Sequence, residues 1–147
     1  MPVARSKRLI RVSPERAFAY LSDLPRHSEW SADSLRLEQA TPGAPGPGTR
    51  YRSRGRQFGQ TIEDEVEVVA VEPNVRFEFE ARGRGGVFRH AFYFERGDGG
   101  TIVTKEMRPL KIVFPFGILG PLTAWFLSRR MAKDLERIAA KLEASRG

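Results

Sequence analysis

An α+β fold is predicted, in which a curved antiparallel sheet of seven strands wraps a long C-terminal helix and two short helices follow the first strand. Three observations lead there. From Pro121 no glycine or proline occurs until Gly147, room for about seven helical turns. Within that stretch Ala124, Ser128, Met131, Leu135, Ile138 and Leu142 recur at alternating steps of four and three, so one stripe is apolar while Arg129, Arg130, Lys133, Glu136, Arg137 and Lys141 face elsewhere. The preceding chain is a run of short alternating segments punctuated by Gly and Pro, which reads as antiparallel strands able to cover that stripe.

The elements follow in order. Lys7 to Val12 reads as a first strand. Ser13-Pro14-Glu15-Arg16 then supplies an N-cap serine, a proline at the first helical position and an acid in the first turn. That helix, with Ala17, Phe18, Tyr20 and Leu21 on its apolar side, ends near Asp23-Leu24, because the residue before Pro25 is pushed out of the α region. A short helix from Pro25 to Trp30 and a strand from Leu35 to Ala40 come next, before a Pro/Gly loop from Thr41 to Gly48.

From Thr49 to Arg56, Arg50, Arg52, Arg54 and Arg56 share one face; from Thr61 to Val68, Glu63, Glu65 and Glu67 do the same. With Gln57-Phe58-Gly59-Gln60 as the hairpin loop, Arg54 lies opposite Glu63, Arg52 opposite Glu65 and Arg50 opposite Glu67, a solvent-facing ladder of ion pairs. After the turn at Glu72-Pro73-Asn74, the strand Arg76–Arg82 sets Phe77, Phe79 and Ala81 against Glu78 and Glu80. Val87–Glu95 puts Phe88, His90, Phe92 and Phe94 on one face. The last strand runs from Thr101 to about Arg108. Its phase is open, because Thr101, Val103, Lys105 and Met107 compete with Ile102, Thr104, Glu106 and Arg108.

Composition narrows the function classes. A chain of 147 residues that is 40% hydrophobic is one domain with one core. It has no cysteine, so disulfides and thiolate metal sites are excluded, and MPVARSKRLI has no apolar signal region, so a cytoplasmic protein is expected. The net charge of +7 sits at the two ends, while residues 13–120 carry fifteen basic and fifteen acidic side chains. A neutral body without a groove-reading element argues against nucleic-acid binding. The apolar stretch Lys111–Leu127 is broken by Pro115, Gly117, Gly120 and Pro121, too often for a membrane span. Two histidines and no cysteine give no zinc site, and Gly83-Arg84-Gly85-Gly86 lacks the strand-to-helix context of a dinucleotide loop, so neither metal nor cofactor is expected.

The order of elements resembles the helix-grip fold of the START-like (SRPBCC) superfamily, which includes the pollen allergen Bet v 1, polyketide cyclases/dehydrases and coenzyme Q-binding proteins. The resemblance covers nearly the whole chain. It is carried by Ser13-Pro14-Glu15-Arg16-Ala17-Phe18, by Asp23-Leu24-Pro25-Arg26-His27-Ser28-Glu29-Trp30, by Gly48-Thr49-Arg50-Tyr51 and by Gly99-Gly100-Thr101. These are structural punctuation and name no ligand. The resemblance implies one ligand-binding domain over residues 1–147. It also implies a cavity between sheet and helix suited to a lipid, polyketide, sterol or isoprenoid, with no partner chain inferable.

Phe77, Phe79, Phe88, His90 and Phe92 lie on the expected inner faces, with Tyr51 and Met107 as further wall candidates; Trp30, Phe58, Phe116 and Trp125 are placed to close the ends. His90 and Asp64 are polar residues on otherwise apolar strand faces, and burying either without a partner costs about 1–3 kcal/mol. They read either as a satisfied core histidine and an aspartate bonded to Ser53, or as an acid/base pair for a cyclisation, with Tyr51 as helper. His27 is expected at the surface. Arg129 and Arg130 directly after Leu122, Trp125, Phe126 and Leu127 read either as a cavity lid with solubilising charges or as a lip that visits an anionic membrane surface. A carrier of a hydrophobic small molecule is the leading expectation; a cyclase/dehydrase-type enzyme and a membrane-associated quinone or lipid delivery protein are its rivals.

Overall fold

A computed structural model describes residues 3–31, 36–57, 59–112 and 120–144. The elements are β1 (Ala4–Ile10), α1 (Pro14–Leu21), a 3-10 helix (Leu24–Glu29), β2 (Arg36–Gln39), β3 (Arg50–Gln57), β4 (Gln60–Glu72), β5 (Arg76–Gly83), β6 (Gly86–Gly97), β7 (Gly100–Ile112) and α2 (Gly120–Ala144). All seven strands form one antiparallel sheet in the order β1-β7-β6-β5-β4-β3-β2. Sequential hairpins build most of it, and β1 closes on the last strand, opposite β7 from Ala4↔Met107 to Ile10↔Thr101. β1 thus lies three residues earlier than its expected start, and it ends at Ile10, where the Val12 N–H donates back to the Ile10 carbonyl and begins the turn into α1.

Local signals act where expected. Ser13 Oγ accepts from the Arg16 N–H at 3.2 Å, and Pro14 opens α1. The β3–β4 register pairs Arg50 with Glu67, Arg52 with Glu65 and Arg54 with Glu63. The guanidinium of Arg54 meets Glu63 at 3.0 Å and that of Arg50 meets Glu67 at 3.3 Å, all on exposed side chains. The charged carpet continues across the convex face, where Glu78 takes Arg76 and Arg89 and Glu106 takes Arg5. Gly100 is demanded by a close approach, since a Cβ there would collide with the Ile10 carbonyl oxygen. A bulge between Val68 and Ala70 bends β4 and lets the sheet curl around its contents.

The apolar stripe of α2 meets that concave face unevenly. Met131, Leu135, Ile138, Ala139 and Leu142 are buried with Ile10, Leu21, Phe94 and Val103 in the core. Polar staples hold this part of the helix: the Arg11 N–H donates to Glu143, and the Arg16 guanidinium donates to the Leu142 carbonyl. Toward its start the helix is less committed. Ala124 and Ser128 are only half-buried, and Leu122, Trp125 and Phe126 are exposed.

Candidate functional site

Strand alternation and register assemble the site. On β6, Phe88, His90, Phe92 and Phe94 point inward; β5 sets Phe79 beside His90 and Phe77 beside Phe92. On the other side, β7 sets Met107 beside His90 and Lys105 beside Phe92. The phase of the last strand is thereby decided in favour of Thr101, Val103, Lys105 and Met107, and it carries a lysine to the inner face. Lys105 is buried, 7% exposed, with Nζ 5.2 Å from the centre of the Phe92 ring and 5.3 Å from that of Trp30. A cation over two desolvated aromatic faces recovers part of its lost hydration, up to about 2 kcal/mol per ring.

The two histidines flank the same rings. His90 stacks on Phe79 with centroids 4.9 Å apart and planes 7° from parallel. His27 packs at 4.6 Å from Trp30 and at about 6 Å from both Phe79 and Phe92. Its Nε2 lies 2.9 Å from the Leu21 carbonyl oxygen. A carbonyl only accepts, so a neutral His27 carries its proton on Nε2.

Burial pushes the His27 pKa down to about 3, against the Leu21 hydrogen bond that raises it and with help from the Lys105 charge. Burial likewise pushes His90 down to about 3, with Lys105 and then His27 adding to the effect. Both rings are neutral at neutral pH. Two buried atoms of this group have no hydrogen-bond partner among the described residues, Trp30 Nε1 and His90 Nδ1.

The expected site residues divide. Phe77, Phe79 and Phe92 are buried in the wall, and Phe88, His90 and Met107 are half-buried on it. Trp30 is an interior residue, 3% exposed, whereas Trp125 stands outside with the Arg129 guanidinium 5.3 Å from its ring centre. Tyr51 is buried opposite Val66, its phenol pKa raised by burial and by Asp23. Asp64 is half-buried opposite Ser53, and burial raises its pKa. Asp64 stands four residues along β4 from Val68, the residue in the row of Phe79 and His90, about 13 Å at strand rise. The structure therefore does not bring Asp64 and His90 together, and Tyr51 is three strands away from β6. Phe58 and Phe116 lie outside the described residues, as does much of the 112–127 segment.

One expectation is corrected. His27 is not a surface residue but 1% exposed, because the 3-10 helix folds its ring under the sheet toward the Leu21 carbonyl. Lys105 is visible in the sequence only as half of an undecided alternation, and no local signal separates it from a solvent-facing lysine.

A cleft of about 470 Å³ opens elsewhere, at the start of α1 and the β6–β7 turn, lined by Arg11, Ser13, Arg16, Arg96 and Gly99. Val12, Pro14, Gly97 and Gly100 complete its lining, and Arg96 is six residues along β6 from His90, so it is separate from the aromatic interior. The described residues contain no cluster of three or more His, Cys, Asp or Glu able to hold a metal ion. No described helix is long and apolar enough to cross a membrane.

A curved antiparallel sheet gripping a C-terminal helix around an aromatic interior defines the Bet v 1-like, helix-grip class. Within it, residues 1–143 match the family described as polyketide cyclase/dehydrase and lipid transport, and the chain belongs to that family. Among solved structures, the fold is similar to that of TTHA0849 from Thermus thermophilus, with a TM-score of 0.79, 21% identity and 99% and 100% of the two chains covered. Ara h 8.0201 superposes with a TM-score of 0.74 at 13% identity, covering 98% of this chain and 99% of that one. The di-domain ARO/CYC StfQ from the steffimycin biosynthetic pathway superposes with a TM-score of 0.71 at 13% identity, covering 97% of this chain and 50% of that one. No curated protein matches. Family and fold together support a hydrophobic ligand-binding role.

Proposed function

We propose that the chain is a single ligand-binding domain that holds a hydrophobic small molecule, of lipid, polyketide, sterol or isoprenoid type, between the concave sheet and the first half of α2, without transforming it. The observation that carries this reading is the uneven packing of the inner face. At one end the stripe of α2 is fully buried against the sheet. At the other, Ile62, Ala81, Phe88 and Met107 remain half-buried although they point inward. Apolar wall left partly uncovered inside a cupped sheet is what a ligand of this class needs. The separation of Asp64 from His90 leaves an acid/base reading without its second member, which favours binding over cyclisation.

Native mass spectrometry of freshly purified protein tests this directly. A retained apolar molecule, or saturable uptake of one member of a panel of fatty acids, quinones and aromatic polyketide analogues, is the expected result. No uptake of any member would refute it, and turnover of a bound analogue would replace carrier by enzyme.

A second reading concerns delivery and rests on Leu122, Trp125 and Phe126, which are 60%, 58% and 50% exposed in the first two turns of α2 beside Arg129. An apolar lip with adjacent positive charge suits transient contact with an anionic membrane surface. Vesicles containing phosphatidylglycerol should retain the protein in co-sedimentation, pure phosphatidylcholine vesicles should not, and Trp125→Asp should abolish the difference. Equal behaviour on both vesicle types would leave the lip as a lid.

A further inference from the structure

Asp64 sets a carboxylate on the inner face of β4, in step with Val66 and Val68, which are buried. Across β3 its register partner is Ser53, itself only 3% exposed. Across β5, continuing from Glu65 opposite Arg82, its neighbour is Gly83. This row lies two residues, about 7 Å at strand rise, from the row of Val66, Ala81 and Phe88, and so forms the rim of the half-covered wall. A Cβ at Gly83 would collide with the Asp64 carboxylate, so the absent side chain is what leaves the carboxylate room along β5. Neither Asp64 nor Ser53 makes a side-chain hydrogen bond or ion pair with a described residue. Burial raises the Asp64 pKa, and no cation stands near enough to oppose it. An ionised carboxylate only accepts hydrogen bonds, whereas a serine hydroxyl accepts or donates. A carboxylate that has lost part of its water without gaining a partner is best satisfied by a donor brought from outside, and such charge-assisted bonds are the strong ones.

We propose that Asp64 and Ser53 form a polar anchor at the rim of the interior, selecting apolar ligands whose polar end donates a hydrogen bond, a hydroxyl or an ammonium group. In this arrangement Asp64 accepts from the donor and Ser53 Oγ completes the contact, while the half-buried wall of Ala81 and Phe88 receives the apolar body. Gly83 is the positioning residue, since it keeps clear the space that the carboxylate occupies. The proposal rests on the interior-binding reading above and deepens it by naming the polar end of the ligand. Alcohols and amines share this chemistry, so the test carries both.

The probes are 9-(hydroxymethyl)anthracene and 9-(aminomethyl)anthracene beside 9-(methoxymethyl)anthracene, with retinol and its methyl ether as a longer pair, each followed by its own fluorescence. The ethers keep the apolar body and only accept. Wild-type protein should bind at least one donor about tenfold to a hundredfold more tightly than its ether, the range of a hydrogen bond to a charged group. Asp64→Leu keeps the branching of the side chain and removes its oxygens; it should bring that donor to within about threefold of its ether while leaving the ether's affinity in place. Gly83→Ala retains the carboxylate but takes its place, and should narrow the preference in the same way with the fold intact, because what it displaces is the free end of a side chain. If donors and ethers bind alike, or if the preference survives Asp64→Leu, the anchor is overturned and the apolar interior stands. Survival in Gly83→Ala alone would overturn the positioning role of Gly83. If Asp64→Leu lowers the melting temperature and weakens donor and ether equally, Asp64 holds the fold and the anchor is overturned. If no probe binds saturably, the interior reading falls and the anchor with it.

Discussion

The two ends of the interior use the same secondary structure to opposite effect. At the end near Ile10, Leu21, Phe94, Val103, Leu135, Ile138 and Leu142 close on one another; Thr101 Oγ donates to the Val12 carbonyl at 2.8 Å, and polar staples fix α2. At the end near Phe88 and Met107, inward-pointing side chains stay half-buried, the first turns of α2 show their apolar residues to solvent, and two enclosed polar atoms have no partner among the described residues. One end spends its apolar surface on stability and the other keeps it for something else. A sheet that curls needs both: the packed end holds the helix so that the loose end can keep its shape without filling.

The largest effect should separate the two ends by stability. Ile138→Ala, at a fully buried position, is expected to cost about 2–5 kcal/mol in urea unfolding. Met107→Ala removes a half-buried side chain and should cost less than about 2 kcal/mol, with its main effect on ligand affinity. Equal losses would erase the distinction between a packed end and an open one.

Acid should sharpen it next. His27 and His90 titrate near 3 in the fold and near 6.5 in the unfolded chain. Between those values the unfolded chain binds more protons, so their neutral burial favours folding above pH 6.5 and this is lost as pH falls toward 3. The slope is at most about 1.4 kcal/mol per pH unit for each histidine. Stability of His90→Phe subtracted from that of wild type should therefore show a slope of that sign confined to this window. A flat difference would place His90 in contact with water.

The smallest effect belongs to the convex face. The ion pairs of its β3–β4 ladder are exposed, and Arg52→Ala should change stability by no more than about 1 kcal/mol at moderate salt. A loss above about 2 kcal/mol would mean that the ladder is covered by something.

How far the sequence could be read follows the range of the signal. The β3–β4 ladder is legible because the Gln57–Gln60 hairpin loop sets a register in which alternating arginines meet alternating glutamates. Phe77 and Phe79 are legible as inward because they alternate with Arg76, Glu78 and Glu80, and Phe88 and Phe92 because they share one face with His90 and Phe94. β7 was not, since both of its faces mix apolar and polar side chains; only its pairing with β6 turns Lys105 inward. His27 was misread because a histidine in a polar, Pro-containing segment looks exposed until the backbone folds it against Leu21. The distance between Asp64 and His90 depends on the registers of three strands together, which alternation along any one strand does not contain. Trp30, placed by the sequence at a closing end, lies in the core, and the surroundings of its indole nitrogen are visible only once its neighbours are in place.

The central claim is that the end near Phe88 and Met107 receives the ligand while the end near Ile138 remains packed. Hydrogen exchange with and without saturating cis-parinaric acid addresses it most directly, because each segment reports its own opening. Slowed exchange is predicted in Val87–Ala91, in Lys105–Pro109 and in residues 122–128 at the start of α2, with no change in Met131–Leu142. Slowing confined to Arg11–Arg16 and Arg96–Gly100, around the cleft at the start of α1, or spread evenly along α2, would contradict it.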